Sequence, residues 1–320
     1  RLVSQGLTLP AHLGTMPGAL AAIIATFETI HEGDVFALND PYQGGMHLPD
    51  IFVFKPIFHN GARVAFAGSV CHHTDVGGRV PGSMASDPTE IFQEGLRIPP
   101  VKLYDRGTKN ETLFALLGTN VRVPKNVFGD LRAQLAACHI GEAAILDLAQ
   151  RMGAEVLGDY MNELLEYAER MTRAAIRTLP DGEFTFEDHI DDDGVNIGEP
   201  ILLKVKVTKN GDGIVGDWTG SAAPGAGAPH RPLSYTESSR FCGIRCILPG
   251  SIPNNEGVFR PIQVIAPEGT ITNAVLPAAV AARALTGYRL VDCLFGALAK
   301  MAPEKVFAAC DGGNTGVAIG

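Results

Sequence analysis

An Asn-Gly pair at residues 60–61, set between the apolar runs IFVFKPIF (51–58) and ARVAFAGSVC (62–71), is the strongest local constraint in this sequence. Both residue types tolerate the left-handed backbone of a tight turn, so the stretch predicts a β-hairpin. Pro56 has no N–H to give a ladder, which predicts that its strand is at an edge or bulged there. The open end of the hairpin carries NDPYQGGMHLPD (39–50) and CHHTDVGG (71–78). Asp40, His47, Asp50, His72, His73 and Asp75 are thereby crowded into two short segments of a chain that has nine histidines in all.

Strand pairing converts the gap between those segments into proximity, because opposed Cβ atoms lie about 5 Å apart. The register decides which imidazole joins Asp50. A two-residue turn opposes Asp50 to Cys71 and puts it on one face with His73; a three-residue loop pairing Phe58 with Ala62 puts it on one face with His72. The residues permit both. A His, Asp, His set offers two nitrogen donors and one hard oxygen, which suits Zn²⁺, Mn²⁺ or Fe²⁺ with positions left open for water or substrate. Such an ion lowers the pKa of water to about 7 and polarises acyl or phosphoryl oxygens. Asp40, His73 and Asp75 are close enough in sequence to add ligands or to orient the imidazoles. The competing reading is a pair of polar turns bonding their own backbone.

With 320 residues, 46% of them hydrophobic and 19% charged, the chain can bury a large core. It has no apolar run near the roughly 18 residues that a spanning helix needs. A net charge of -9 excludes the basic surface that nucleic acid or an anionic membrane would require. Six scattered cysteines fit reduced thiols in a cytoplasm, with Cys242 and Cys246 as buried thiols on one helix face. The opening RLVSQG, without an initiator Met or a signal peptide, and the closing NTGVAIG read as cuts from a longer protein.

The pattern along the chain predicts an α+β fold: mixed and antiparallel sheets with packed helices, a large single-fold subunit present as a fragment. Residues 1–129 form the metal-binding region, 130–180 a two-helix segment, and 181–320 a β-rich region with C-terminal helices. A stripe of Leu20, Ile23, Ile24, Phe27 and Ile30 predicts a helix from Thr15 with Pro17 in its first turn, ended by Gly33. A strand follows at 34–38. The Pro-, Gly- and Ser-rich stretch 80–106 reads as a long functional loop with a helix start at DPTE (87–90). Helices are expected at 130–151, 154–179, 233–248 and 289–301, and strands at 184–190, 201–208 and 214–218, with a turn at Asn210-Gly211. The stretch 220–232 reads as an ordered loop, and the acidic run at 191–193 as a solvated turn. No phosphate-cradling GxxxxGK[ST] motif is present.

The segments HLGTMPGAL, GDVFALNDPYQGGMHLPD, HHTDVGG, PGSM, TEIFQEGLRIPPVKLY, GDLRAQLAA, DWTGS, NNEGVFRPI and APEGT resemble those of the hydantoinase B/oxoprolinase family. That family includes the B-type components of ATP-dependent N-methylhydantoinases, the C-terminal part of 5-oxoprolinases, and alpha-type subunits of acetone and acetophenone carboxylases. The resemblance implies a metal-dependent amidohydrolase subunit for cyclic amides. Its A-type partner binds ATP and phosphorylates the substrate's carbonyl oxygen, so that water can open the ring. It implies His47, Asp50 and His72 as metal ligands, which selects the three-residue register. It leaves His73 and Asp75 beside them as catalytic candidates and Asp40 as an orienting group. Glu94 and Arg97, with Glu90 and Glu256, fall in similar motifs as substrate-positioning candidates. GAPHRPLSYT departs from a family-type NAPLSVT, and its His230 reads as a surface residue or a substrate contact. The alternatives are a carboxylase alpha-type subunit or a metal-binding module without turnover.

Overall fold

In the computed structural model, which describes residues 1–6, 12 and 14–310, the first regular element is α1 (Thr15–Thr26). It stops well before Gly33: Phe27 leaves the helix to pack on Phe36, with ring centroids 5.0 Å apart. Gly33 instead makes a left-handed turn (φ 84°) whose carbonyl accepts from the Gly107 amide. Leu13 of the HLGTMPGAL segment and the closing NTGVAIG lie outside the described residues.

The described residues divide into two compact units, residues 1–3, 15–84 and 92–164 in one, and residues 4–6, 12, 14, 85–91 and 165–310 in the other. The first is built on a five-stranded antiparallel sheet. After β1 (Val35–Leu38) come β2 (Asp50–His59) and β3 (Ala62–His72), then β4 (Val101–Asp105) and β5 (Thr108–Lys109), in the order β3-β2-β1-β4-β5. β2 is buried over its first eight residues, as a near-continuous apolar run predicts for a strand covered on both faces. β1 reaches β2 only at Phe52, Val53 and Phe54, so at Pro56 the strand has a ladder partner on the β3 side alone. The missing N–H of Pro56 therefore disrupts nothing on the other side.

Two helices follow the sheet, α2 (Glu111–Asn120), capped by Asn110, and α3 (Pro124–Met152), which opens on a proline at its first position. α3 covers the face of β2 and β3 that carries Ile51 and Ser69, since Gln134 Nε2 donates to both carbonyls, at 2.8 and 3.4 Å. α1 covers the opposite face, where Met16 meets Gly68 beside Phe54. The DPTE segment starts no α-helix. Past it lie a single 3-10 turn (Ile91–Gln93) and β4, a strand inside the stretch expected to be loop.

α4 (Ala154–Arg177) precedes the second sheet, whose strands β6 (Gly182–Ile190), β7 (Ile201–Asn210), β8 (Gly213–Asp217) and β9 (Ile262–Ile265) lie in sequence order. β8 and β9 are parallel and the other pairs antiparallel, so the sheet is mixed. β7 alternates strictly: Ile201, Leu203, Val205 and Val207 are buried, with Leu202, Lys204, Lys206 and Thr208 between them partly exposed. α5 (Leu233–Ile247) and α6 (Arg283–Met301) close over the buried face, where Gly243 meets Leu294 and Gly296 meets the Phe186 ring. Each fully buried Leu or Val in this layer contributes about 1.5–3 kcal/mol. Among the described residues, no helix is long and apolar enough to cross a membrane.

Candidate metal and active site

The register of the β2-β3 hairpin corrects both sequence readings. The turn has two residues, Asn60 (φ 52°) and Gly61 (φ 79°), with His59 opposite Ala62 and Phe58 opposite Arg63. The three-residue loop is not formed. Val64 then stands as an extra residue on β3, because Ile57 pairs with Ala65, and that shift persists to the open end. Asp50 comes directly opposite His72, and Cys71 opposes Ile51. His72 shares the face of Asp50, by a bulge rather than by a longer turn.

His73 points the other way. Its amide continues the pairing onto the Pro49 carbonyl at 2.8 Å, and its ring is fully buried against α3, with Nε2 3.0 Å from Gln134 Oε1. Gln134 spends its amide hydrogens on the Ile51 and Ser69 carbonyls, so its oxygen accepts and His73 Nε2 carries the proton. Burial pushes the His73 pKa down, only partly offset by that hydrogen bond.

His47 arrives on the loop between β1 and β2. Gly44 (φ 90°) lets that loop lie on α1: a Cβ there would stand 2.4 Å from the Ala19 nitrogen and the Gly18 carbonyl carbon. The Asp50 amide donates to the His47 carbonyl, closing a tight turn, and His47 Nδ1 is 2.7 Å from Asp50 Oδ2. Both side chains are buried. The His47 and His72 ring centroids are 5.0 Å apart, with His72 exposed to solvent. The donor set therefore fits a divalent ion in type and in pairwise placement. Among the described residues, however, no three His, Cys, Asp or Glu side chains converge closely enough to hold one.

Asp75 is buried and bonded at both oxygens. Oδ1 accepts from the Gly77 and Arg122 amides, and Oδ2 from the Gly82 amide and Arg122 Nη1, at 2.9–3.0 Å. Burial alone would raise its pKa, but the four donors hold it below the usual carboxylate range. Arg122 also donates to the carbonyls of Gly77, Gly78 and Val80, fixing the CHHTDVGG segment from the turn between α2 and α3. No sequence motif singles out Arg122; its role comes from fork geometry that pairs a carboxylate and several carbonyls at once.

Asn39 does the equivalent for the other segment: its Nδ2 donates to the Leu48 and Leu96 carbonyls, and its Oδ1 accepts from the Ile98 amide. Those bonds bring Asp40, Glu94 and Arg97 into one neighbourhood. Asp40 accepts from the Tyr42 amide and Gln43 Nε2, with Arg97 Nε 3.7 Å away. Burial, then the charges of Glu94 and Asp40, push the Tyr42 hydroxyl pKa far up, against Arg97, which lowers it. Tyr42 is a site candidate that sequence reading passed over.

Glu90 and Glu256 belong to the second unit. His230, read as a surface residue or substrate contact, is buried there with Nδ1 2.9 Å from the Ala279 carbonyl. The acidic run is a turn, but Asp193 is not solvated: it is buried and accepts from the Val195, Asn196 and Ala226 amides and from Asn196 Nδ2. Cys242 is half-buried and Cys246 exposed, which overturns the reading of both as buried thiols.

A model of the hydantoinase B/oxoprolinase family matches residues 1–320. A putative B-type D-/L-hydantoinase component of Pseudomonas sp. (strain NS671) is 33% identical over 323 residues, covering 96% of this chain and 55% of that protein. The crystal structure of the ATP-dependent caprolactamase from Pseudomonas jessenii superimposes with a TM-score of 0.89 at 34% identity, over 95% of this chain and 52% of that one. A nucleotide-free acetone carboxylase structure superimposes with a TM-score of 0.87 at 21% identity, over 96% of this chain and 43% of that one, a likeness of fold alone. The chain spans about half the length of the curated relatives it matches.

Proposed function

The chain belongs to the hydantoinase B/oxoprolinase family, and on that premise we propose that it is part of the hydrolytic, B-type subunit of a cytoplasmic ATP-dependent enzyme that opens a cyclic amide. The observation that supports the reading is pairwise: His47 approaches Asp50 and His72, and Asp50 lies opposite His72 at the open end of one hairpin. These three would hold a divalent transition ion, zinc, manganese or iron. When bound, that ion supplies Lewis acidity toward an acyl or phosphoryl oxygen and a lowered pKa for water.

The chain's own groups take the remaining roles. His73, neutral and held by Gln134, keeps the end of β3 fixed so that His72 stays opposite Asp50. Asp75 is a positioning residue, since its oxygens serve the loop and Arg122 rather than facing an open space. Asp40 with Arg97, and Glu94 beside Tyr42, supply charged and hydrogen-bonding groups suited to orienting a lactam or hydantoin ring. ATP is used by an A-type partner. Phosphorylation there turns the amide carbonyl, a poor electrophile, into a carbon that water can attack.

Co-expression of the full-length protein with its A-type partner tests the reading. Release of the ring-opened acid from hydantoin, 5-oxoproline or caprolactam, strictly dependent on ATP, is the expected result. Consumption of bicarbonate and a ketone instead would identify a carboxylase alpha-type subunit. No turnover of either kind, with metal still bound, would leave a binding module.

A further inference from the structure

In the first unit, at the β5 edge of the sheet and so at the opposite edge from β3, a cleft of about 490 Å³ is lined by β4, β5, α2 and α3. Small-molecule sites run from about 300 to 1,000 Å³, so the cleft has room for one small ligand. Three aromatic rings form a row along it. Tyr104 of β4 meets Phe114 of α2 edge to face, with centroids 6.0 Å apart, and Phe114 meets Phe128 of α3 at 5.7 Å and a 40° tilt. Gly118 lets α2 come close to α3 here, because a Cβ at that position would stand 3.0 Å from the Phe128 ring. Leu131, buried on α3, adds a further apolar wall. All three rings are only half-buried, so the row still presents aromatic surface to the cleft. A further ring placed against such surface gains more than its buried area alone supplies.

The charges at the cleft decide what kind of ring fits. Three charged side chains line it, Lys109, Glu111 and Arg132. Lys109 Nζ is 2.7 Å from Glu111 Oε2 and 4.6 Å from the Phe114 centroid, so this cation has both a counter-charge and an aromatic face. Arg132 is exposed, and among the described residues nothing accepts from its guanidinium. One positive charge is therefore left over, on a side chain whose two parallel N–H groups match the two oxygens of a carboxylate. A cationic ligand would be repelled by that charge, and an uncharged one would leave it unused.

We propose that this cleft is a binding site for a small aromatic carboxylate, with its ring against Phe114 and Phe128 and its carboxylate on the Arg132 guanidinium. Neither β2 nor β3 lines the cleft, and none of His47, Asp50 and His72 does. A ligand held here therefore leaves the hairpin site open, and the inference does not rest on the activity assigned to that site.

Titration of the full-length protein with benzoate, cyclohexanecarboxylate and benzylamine, followed by calorimetry, tests this. Benzoate binds one to one, cyclohexanecarboxylate binds more weakly, and benzylamine does not bind. Arg132→Gln, at an exposed position, keeps the native Tm and weakens benzoate binding by about tenfold or more. Phe114→Leu removes the preference for benzoate over cyclohexanecarboxylate, and if that variant fails to fold, Arg132→Gln carries the test alone. His72→Ala binds benzoate as the native protein does. Absence of benzoate binding at millimolar concentration, undiminished binding in Arg132→Gln, or loss of binding in His72→Ala, which would place the ligand at the hairpin, would overturn the proposal.

Discussion

His47 Nδ1 stands 2.7 Å from Asp50 Oδ2, three residues apart and both sealed from solvent. A tight turn, closed by the Asp50 amide on the His47 carbonyl, makes that approach automatic, so two of the three candidate ligands are placed by local backbone. Only His72 is delivered from a distance. In the full-length protein, His47→Ala and Asp50→Ala are each expected to reduce bound transition metal from about one ion per chain to background, measured by plasma mass spectrometry. Metal retained in both variants would remove these residues as ligands.

A register experiment probes His72 without changing it. One alanine inserted between Gly68 and Ser69 slides the end of β3 so that Asp50 opposes Cys71 and His72 moves past it. The folded variant, monitored by circular dichroism, is expected to lose its metal as completely as Asp50→Ala does. Full metal content would mean that the strand pairing does not set the site.

Arg122 contacts none of the candidate ligands, yet it joins Asp75 to three loop carbonyls. Arg122→Lys keeps the charge and loses the fork, so its effect separates geometry from electrostatics. Metal affinity is expected to fall by about tenfold, in line with other groups that orient ligands. An unchanged affinity in Arg122→Lys would show that charge alone suffices.

Asp193 gives a pH signature. Burial works to raise its pKa, but the amides of Asn196, Val195 and Ala226 overcome it and hold the carboxyl far below its ordinary value. A depressed pKa contributes stability that is complete above the unfolded value of about 3.9 and is lost as pH falls through the folded value. Asp193→Asn places an N–H against one of those amides, so it is expected to cost about 1–3 kcal/mol at neutral pH. In urea titrations the gap between native protein and variant closes below about pH 4. A gap constant down to pH 2 would refute the assignment.

Much of this fold is legible from local chemistry. The Asn60-Gly61 turn, the long helices α3 and α4, and the alternation in β7 follow from backbone preference and apolar period, which act within a few residues. β4 and β9 escape that reading because they are short, five and four residues, and owe their conformation to partners distant in sequence: β1 for β4, and β8 for β9. The site divides in the same way. That Asp50 and a following His lie across from each other could be read from the hairpin, but no residue type announces that Val64 stands out of register. Asp193 and His230 misled for a related reason, since a polar side chain says nothing about burial until its donors and acceptors are known.

The bulge at Val64 also has a meaning for how such a hairpin can drift over generations. It holds one residue that pairs with nothing on β2, and so acts as slack in the β3 arm. Loss of one codon from that arm can be absorbed by drawing Val64 into the ladder, leaving Asp50 opposite His72. Gain of one codon finds no such reserve. The pairing of Asp50 with His72 therefore survives the loss of one residue from this arm more readily than the gain of one, and the residues between Val64 and the loss exchange faces of the sheet.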